Sequence, residues 1–177
     1  MPGKLIVGTI ETQNINFDSD TTGMTIDSIG RISQPNRPAF QAVVGSESWA
    51  TLSDTGKIPF NDVSSGACFD NGSNFDTSNN RFVAPVAGKY HFFVLIYSFN
   101  SDGVNAFCVY KNGAILRVYN NSTRFDFQGG QTNGAQDETI SGSFQVELSA
   151  NDNISIHATT GSDYYGAYTH FGGHLIG

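Results

Sequence analysis

Apolar and polar side chains stop alternating within residues 81–99, which read RFVAPVAGKYHFFVLIYSF. Successive side chains of a β-strand point to opposite faces, so a strand with one solvated face alternates apolar with polar residues. From residue 90 onward both faces are rich in apolar side chains. We therefore expect a sandwich core to cover one face and a second copy of the chain to cover the other. The alternative is that a loop or the N-terminal segment of the same chain covers the outer face.

The other apolar runs from residue 39 onward predict short strands joined by turns. They read AFQAVV, GKIPF, RFVAP, NAFCVYKNG, AILRVYN, SGSFQVELS, NISIHA and YTHFGGHLIG. Asn112 and Gly113 predict a two-residue hairpin turn, because both central positions of such a turn have positive φ. No segment places apolar residues at helical spacing over three turns. About eight to ten strands at this spacing indicate an all-β sandwich or jelly roll.

Residues 1–36 differ from the rest of the chain, with isolated apolar residues among Thr, Asp, Asn and Gly. They hold too little apolar surface for a core of their own, because ordering each residue costs roughly 1–2 kcal/mol of backbone entropy. Pro35 and Pro38 mark the boundary, since proline suits the entrance of a strand better than its interior. We predict an N-terminal docking or stalk segment at residues 1–36, which either folds back or wraps with other copies, and a β-domain at residues 37–177.

The charge balance removes several classes of partner. Nine Lys and Arg against 16 Asp and Glu give a formal charge of −7, which argues against a nucleic-acid partner because phosphate binding needs clustered basic residues. The apolar run at residues 90–99 is far shorter than the roughly 20 residues of a membrane helix, so we expect no membrane insertion. The start, MPGKLIVGTIETQ, lacks the apolar core of a secretion signal. Cys68 and Cys108 could pair, but without a secretion signal we expect two buried thiols.

The motif RFVAPVAGKYHF at residues 81–92 resembles the F-x-A-P-x-x-G-x-Y-x-F signature of complement C1q-like globular domains. Downstream, YKNG at residues 110–113 resembles the hairpin of that family. FGGHLI at residues 171–176 is similar to its closing F-S-G-F-L segment. The sequence departs from the family at Gly172, where Ser is usual, and at His174, where an aromatic residue is usual. The resemblance spans residues 38–177.

This resemblance implies a ten-stranded jelly roll of the tumour-necrosis-factor-like type, assembled as a homotrimer. It implies that Tyr90, Phe92, Val94 and Ile96 face the sandwich core. It places His91, Phe93, Leu95 and Tyr97 against the other subunits. Phe171 and Leu175 on the closing strand are expected to join this interface.

The first 32 residues carry a second resemblance. GKLIVGTIETQ and TIDSIGRI resemble N-terminal segments of phage fibre and other virion appendage proteins, in which a short trimeric foot carries a sandwich head. This implies a bacteriophage virion protein, assembled in the host cytoplasm, that binds other virion proteins through residues 1–36. The alternatives are a capsid decoration protein of purely architectural role and a secreted C1q-like binding protein.

The sequence contains none of the common catalytic motifs and no clear metal-binding pattern. No G-x-S-x-G elbow, phosphate-binding glycine loop or H-E-x-x-H occurs, and nothing places Asp137, Glu138 or Glu147 across a cleft, so we expect no enzyme. His170 and His174 would lie roughly 13 Å apart on a strand, too far to share an ion. Asp70 and Asp76, like the acidic run at residues 18–20, fit turn capping better than calcium binding. We therefore expect no cofactor.

Ligand recognition is expected in the loops, because the strand connections of a sandwich carry the variable surface. The candidate loops are residues 100–105, 121–126, 128–136 and 162–165. Within them the candidate contact residues for a host-surface glycan or protein are Asn121, Phe125, Gln128, Tyr164 and Tyr165. The leading hypothesis is a trimeric virion structural protein whose exposed head binds such a host molecule.

Overall fold

The computed structural model describes residues 14–16, 22–100, 104–119, 123–129 and 136–177. The chain divides into two compact units, Met1–Arg37 and Pro38–Gly177. In the first unit, strands β1 (Asn14–Asn16), β2 (Thr22–Ile26) and β3 (Ile32–Ser33) form an antiparallel sheet in that order. Asp27 closes the turn between β2 and β3 by accepting hydrogen bonds from the backbone N–H of Ile29 and Arg31.

In its described residues, the second unit contains strands and one short 3₁₀ helix at Gly166–Tyr168. Its strands are β4 (Ala39–Val43), β5 (Trp49–Leu52), β6 (Phe69–Asn71), β7 (Phe75–Asp76), β8 (Arg81–Val83), β9 (Gly88–Asn100), β10 (Ala106–Lys111), β11 (Ala114–Ile115), β12 (Arg117–Tyr119), β13 (Thr123–Arg124), β14 (Asp126–Gln128), β15 (Gln136–Leu148), β16 (Asn153–Ala158), β17 (Ser162–Tyr165) and β18 (His170–Leu175). In the described ranges, no helix is long and apolar enough to span a membrane.

Two antiparallel sheets form the sandwich. The first has the order β15-β9-β18-β4-β6, and the second has the order β11-β10-β16-β8-β7 with β14 also paired to β10. Strands β17 and β5 form a separate pair, as do β12 and β13. The longest pairing joins β9 and β15 over 13 residues, from Gly88 opposite Leu148 to Asn100 opposite Gln136. The predicted all-β sandwich is confirmed.

Aromatic side chains from both sheets fill the space between them. Phe40 stacks on Phe82 of the opposite sheet with ring centroids 4.9 Å apart, and Phe92 stacks on Phe144 at 5.2 Å. The residues of β9 predicted to face the core, Tyr90, Phe92, Val94 and Ile96, are all buried, so that prediction is confirmed. Burial of these large apolar side chains stabilises the domain.

The register of β18 overturns one part of the predicted outer face. Phe171 pairs with Val94 and Leu175 pairs with Tyr90, so both side chains share the core-facing side of β9. Phe171 is fully buried, with its ring 5.1 Å from Phe40, and Leu175 packs against the same cluster. The prediction that Phe171 and Leu175 join a subunit interface was wrong. A shift of one residue moves every side chain of a strand to the other face, and in β18 the odd-numbered residues face the core.

Two further segments differ from the sequence-based expectation. GKIPF forms only an isolated bridge at Lys57, although Ile58 and Phe60 are fully buried, because Pro59 has no N–H to continue a ladder. Residues 162–165, expected as a loop, form β17. Both thiols are free: Cys108 is buried, as predicted, whereas Cys68 is only half-buried.

Candidate functional site

The outer face of the five-stranded sheet is the side that points away from the sandwich core. Register places His91, Phe93, Leu95, Tyr97 and Phe99 of β9 on this face. Phe93 is 37% exposed, and the other four side chains are half-buried. On one flank β15 contributes polar residues, and on the other β18 contributes His170, Gly172 and His174. The apolar part of the outer face is therefore a stripe one strand wide.

Gly172 explains how this stripe packs. A Cβ at position 172 would lie 2.3 Å from Cζ of Phe93, so the ring of Phe93 occupies the place where another side chain would sit. Glycine replaces the usual Ser at this position because the Phe93 ring on the neighbouring strand leaves no room for a side chain. His174, the second departure, lies opposite His91 with ring centroids 5.4 Å apart. Both departures concern the outer face, because this parity of β18 points them away from the core.

An aromatic cluster lies at the end of the outer face where β9 finishes. Its members are Trp49, Tyr97, Phe99, Tyr165 and Tyr168. The Trp49 ring lies 5.8 Å from both Tyr97 and Phe99 and 5.2 Å from Tyr165. Trp49 remains 46% exposed and Tyr168 58% exposed. The cluster is built from three separate segments, so sequence spacing gave no sign of it.

Two carboxylates lie beside this cluster. Tyr97 donates its hydroxyl hydrogen to Oδ2 of Asp137 at 2.8 Å, and this bond, assisted by burial, raises the pKa of the tyrosine. Asp163 is fixed through its backbone, whose N–H donates to Asn105 and whose carbonyl accepts from Ser98. Both aspartates line a groove of about 540 Å³ together with Trp49, Ala50, Thr51 and Phe99.

A second groove, of about 420 Å³, lies between β4 and the segment at residues 62–68. Its lining includes Asp62, Cys68 and His170. Hydrogen bonds from Ser65 and Ser64 lower the pKa of Asp62 to about 2, whereas burial raises the pKa of the Cys68 thiol and lowers that of His170. The raised pKa of the thiol and the lowered pKa of the imidazole both disfavour an activated thiolate–imidazolium pair.

The candidate contact residues for a ligand are scattered. Tyr164 is only 4% exposed and lies in the core, so its prediction as a binding residue was wrong; alternation along β17 turns it inward. Tyr165, its neighbour, points the other way into the aromatic cluster. Phe125 is half-buried against Phe144, and Gln128 is exposed on β14. Asn121 lies outside the described residues.

The acidic turns have structural roles. Asp70 accepts hydrogen bonds from the backbone N–H of Asn74 and Phe75, and Asp76 accepts two from Asn79. These bonds use the carboxylate oxygens that a calcium ion would need, as the turn-capping interpretation predicts. Residues 18–20 lie outside the described ranges. Among the residues that the structure describes, no three His, Cys, Asp or Glu side chains are grouped so that they could hold a metal ion.

The sequence and the fold match known proteins. Residues 39–176 match the family model of the C1q domain. The globular domain of zebrafish complement 1qA protein is similar with a TM-score of 0.57 at 19% identity, over 80% of this chain and 98% of that one. Eiger TNF from S. frugiperda is similar with a TM-score of 0.60 at 11% identity, over 80% of this chain and 94% of that one. No curated protein sequence gives a significant match. The predicted C1q-like and TNF-like jelly roll is confirmed.

Proposed function

The chain belongs to the C1q domain family, and from this premise we propose that it forms the homotrimeric head of a virion appendage that binds a host-surface molecule. The family consists of binding and structural domains, which agrees with the expectation that the protein is not an enzyme. The proposal has three parts: assembly through the outer face, docking through residues 1–36, and recognition at the head.

The trimeric assembly is supported by one observation, the apolar outer face of β9. The core-facing residues of β9 are fully buried, and yet its opposite face keeps Phe93 37% exposed between the half-buried His91 and Leu95. A central strand with apolar side chains on both faces needs a second cover, because exposed apolar area costs roughly 25 cal/mol per Å² relative to burial. Copies of the same outer face, arranged around a threefold axis, supply this cover. His91, Phe93, Leu95 and Tyr97 are the proposed contacts.

The assembly is tested by measuring the mass of the full chain in solution. Sedimentation velocity at micromolar concentration should give three times the chain mass of 19.0 kDa. A stable species of one chain mass, with Phe93 open to solvent, would overturn the proposal.

Docking on the particle is supported by the separate N-terminal unit, Met1–Arg37, and by the resemblance of its sequence to the feet of phage fibres. In this proposal the protein is a virion component, and residues 1–36 contact other virion proteins. Immunogold labelling of purified particles with antibodies against residues 38–177 tests it. Gold particles at a defined appendage support the proposal, and unlabelled particles that lack the protein by mass spectrometry reject it.

Recognition of the host is tested separately from assembly. The purified head should compete with particles for adsorption to host cells if it carries the receptor contact. Unchanged adsorption in excess head, and with antibodies bound to the head, would leave only the architectural role.

A further inference from the structure

The groove beside the aromatic cluster has the features of a small-molecule site. We propose that it binds a neutral saccharide, with Trp49 as the stacking platform and Asp137 and Asp163 as acceptors for the sugar hydroxyls. This inference rests on the binding part of the proposed function and names the ligand class. The groove has a volume of about 540 Å³, which lies in the range of ligand pockets and accommodates one or two sugar rings.

The Trp49 platform is packed against neighbouring rings in the structure. Phe99 and Tyr165 contact the Trp49 ring edge to face, at interplanar angles of 65° and 71°, and Tyr97 packs beside it at 31°. A ring held from three directions loses little conformational entropy on binding. Trp49 is nevertheless 46% exposed, so it offers apolar surface to the C–H groups of a pyranose.

The polar partners are also fixed in place. The Tyr97 hydroxyl donates a hydrogen bond to Oδ2 of Asp137, so the second oxygen of that carboxylate can accept one from a ligand. The backbone of Asp163 is held at both its N–H and its carbonyl. Within the described parts of the chain, the side chain of Asp163 accepts no hydrogen bond. Hydrogen bonds from sugar hydroxyls to carboxylates are charge-assisted and therefore among the stronger neutral-ligand contacts.

The charge of the groove selects the kind of sugar. Among the described residues its lining contains two aspartates and no Lys or Arg, and the whole chain carries a formal charge of −7. A sialic acid or a sugar phosphate would meet uncompensated repulsion from these carboxylates. A neutral hexose or N-acetylhexosamine meets no such repulsion and can donate its hydroxyl hydrogens to the carboxylates. The chemistry therefore favours neutral over acidic saccharides.

The chain contains one tryptophan, so its fluorescence reports on this groove alone. The full-length protein is titrated with the methyl glycosides of glucose, galactose, mannose and N-acetylglucosamine, and with N-acetylneuraminic acid as the acidic probe. At least one neutral glycoside should shift Trp49 emission and reduce its quenching by acrylamide, whereas N-acetylneuraminic acid should do neither. No response to any neutral glycoside up to about 10 mM would overturn the inference.

Variants locate the binding. Asp163→Asn keeps the tryptophan and should weaken binding of the responding glycoside by about fivefold or more, since a neutral amide replaces a charged acceptor. Trp49→Phe should lose saturation transfer from the protein to the sugar protons in NMR. Phe69→Ala is the control, because Phe69 is an exposed ring on β6, at the far edge of the same sheet, and should bind normally. Equal binding by all three variants would reject the groove as the site.

Sedimentation of the same sample separates this inference from the proposed assembly. A trimer in which Trp49 is fully protected from acrylamide without sugar would show that a neighbouring subunit closes the groove, which rejects the saccharide site and keeps the assembly. A monomer that binds the glycoside through Trp49 would reject the assembly and support the site.

Discussion

At the scale of single residues, the outer face depends on a glycine that makes room for a ring. Gly172→Ala would place a Cβ 2.3 Å from Phe93 and 3.0 Å from the carbonyl oxygen of Phe40. Because the second contact is backbone, the ring alone cannot relieve the clash, and we expect a loss of about 1–3 kcal/mol in the free energy of unfolding. Urea unfolding of the variant measures it.

The matched control for this prediction is Gly161→Ala, where the nearest atom to an added Cβ lies at 3.8 Å. It should unfold within about 0.5 kcal/mol of the parent. The double variant with Phe93→Ala should recover part of the loss, since one of the two clashes is removed. A Gly172→Ala protein as stable as the control would contradict this account of the departure from Ser.

Asp152 is a second residue whose environment makes a measurable prediction. Lys111 lies 2.8 Å from its carboxylate, and Asn112 and the backbone N–H of Ser149 donate to it, which together lower its pKa from 3.8 to about 2. A carboxyl with a depressed folded-state pKa stabilises the protein above its unfolded pKa, and this stability is lost as the pH falls through about 2.

Stability should therefore decline between about pH 4 and pH 2, and Asp152→Asn should make that decline shallower while lowering stability at pH 7. Urea unfolding at pH 7, 4 and 2.5 gives the comparison. Asp62, whose pKa is also lowered to about 2, keeps part of the pH dependence in the variant. Identical slopes in parent and variant would show that Asp152 gains nothing from its partners.

At the scale of elements, the hairpin between β10 and β11 shows a turn set by local sequence. Asn112 and Gly113 both have positive φ, 52° and 78°, as the Asn-Gly pair predicts. No atom lies within 4 Å of a Cβ built on Gly113, so a substitution there meets no clash. The free-energy cost of such a substitution comes from the positive φ of the backbone.

Gly113→Ala should lower the free energy of unfolding by about 1 kcal/mol, and Gly113→Asn by less, because Asn enters the left-handed region more readily. Chemical denaturation of both variants tests the ranking. Equal losses would point to a steric or hydrogen-bonding cause in place of the conformational one.

The strands differ in how far their sequence predicts them. The core-facing side of β9 follows from its aromatic alternation, and the Asn-Gly hairpin follows from turn chemistry. The parity of β18 does not, because two adjacent glycines at positions 172 and 173 remove the apolar signal that would fix its faces. For the same reason the sequence predicts the wrong face for Phe171. Short strands such as β17 carry too few residues for their period to be recognised.

At the scale of the whole molecule, the proposed trimer predicts that one charge on the outer face separates the subunits. Phe93→Asp replaces the most exposed apolar side chain of the stripe, so a single subunit tolerates the change whereas a buried interface does not. Sedimentation velocity should show a shift from three chain masses to one.

Val118→Asp is the control for this prediction, because Val118 is 54% exposed on β12, outside the five-stranded sheet. It should leave the assembly intact. If the Phe93→Asp protein remains a trimer with an unchanged melting temperature, the outer face is not the subunit interface. That result would not affect the assignment of the fold.

The sequence by itself determined the class of fold, the apolar side chains on both faces of β9 and the family resemblance. These follow from local periodicity, turn residues and a motif, each read within a few neighbouring residues. Only the tertiary structure decided which side of β18 points outward, that Tyr164 is buried, and that Trp49, Phe99, Asp137 and Asp163 line one groove. Those facts depend on register and on contacts between segments far apart in the sequence, such as Trp49 and Asp163, which are 114 positions apart, and such long-range pairing leaves no periodic pattern along the chain.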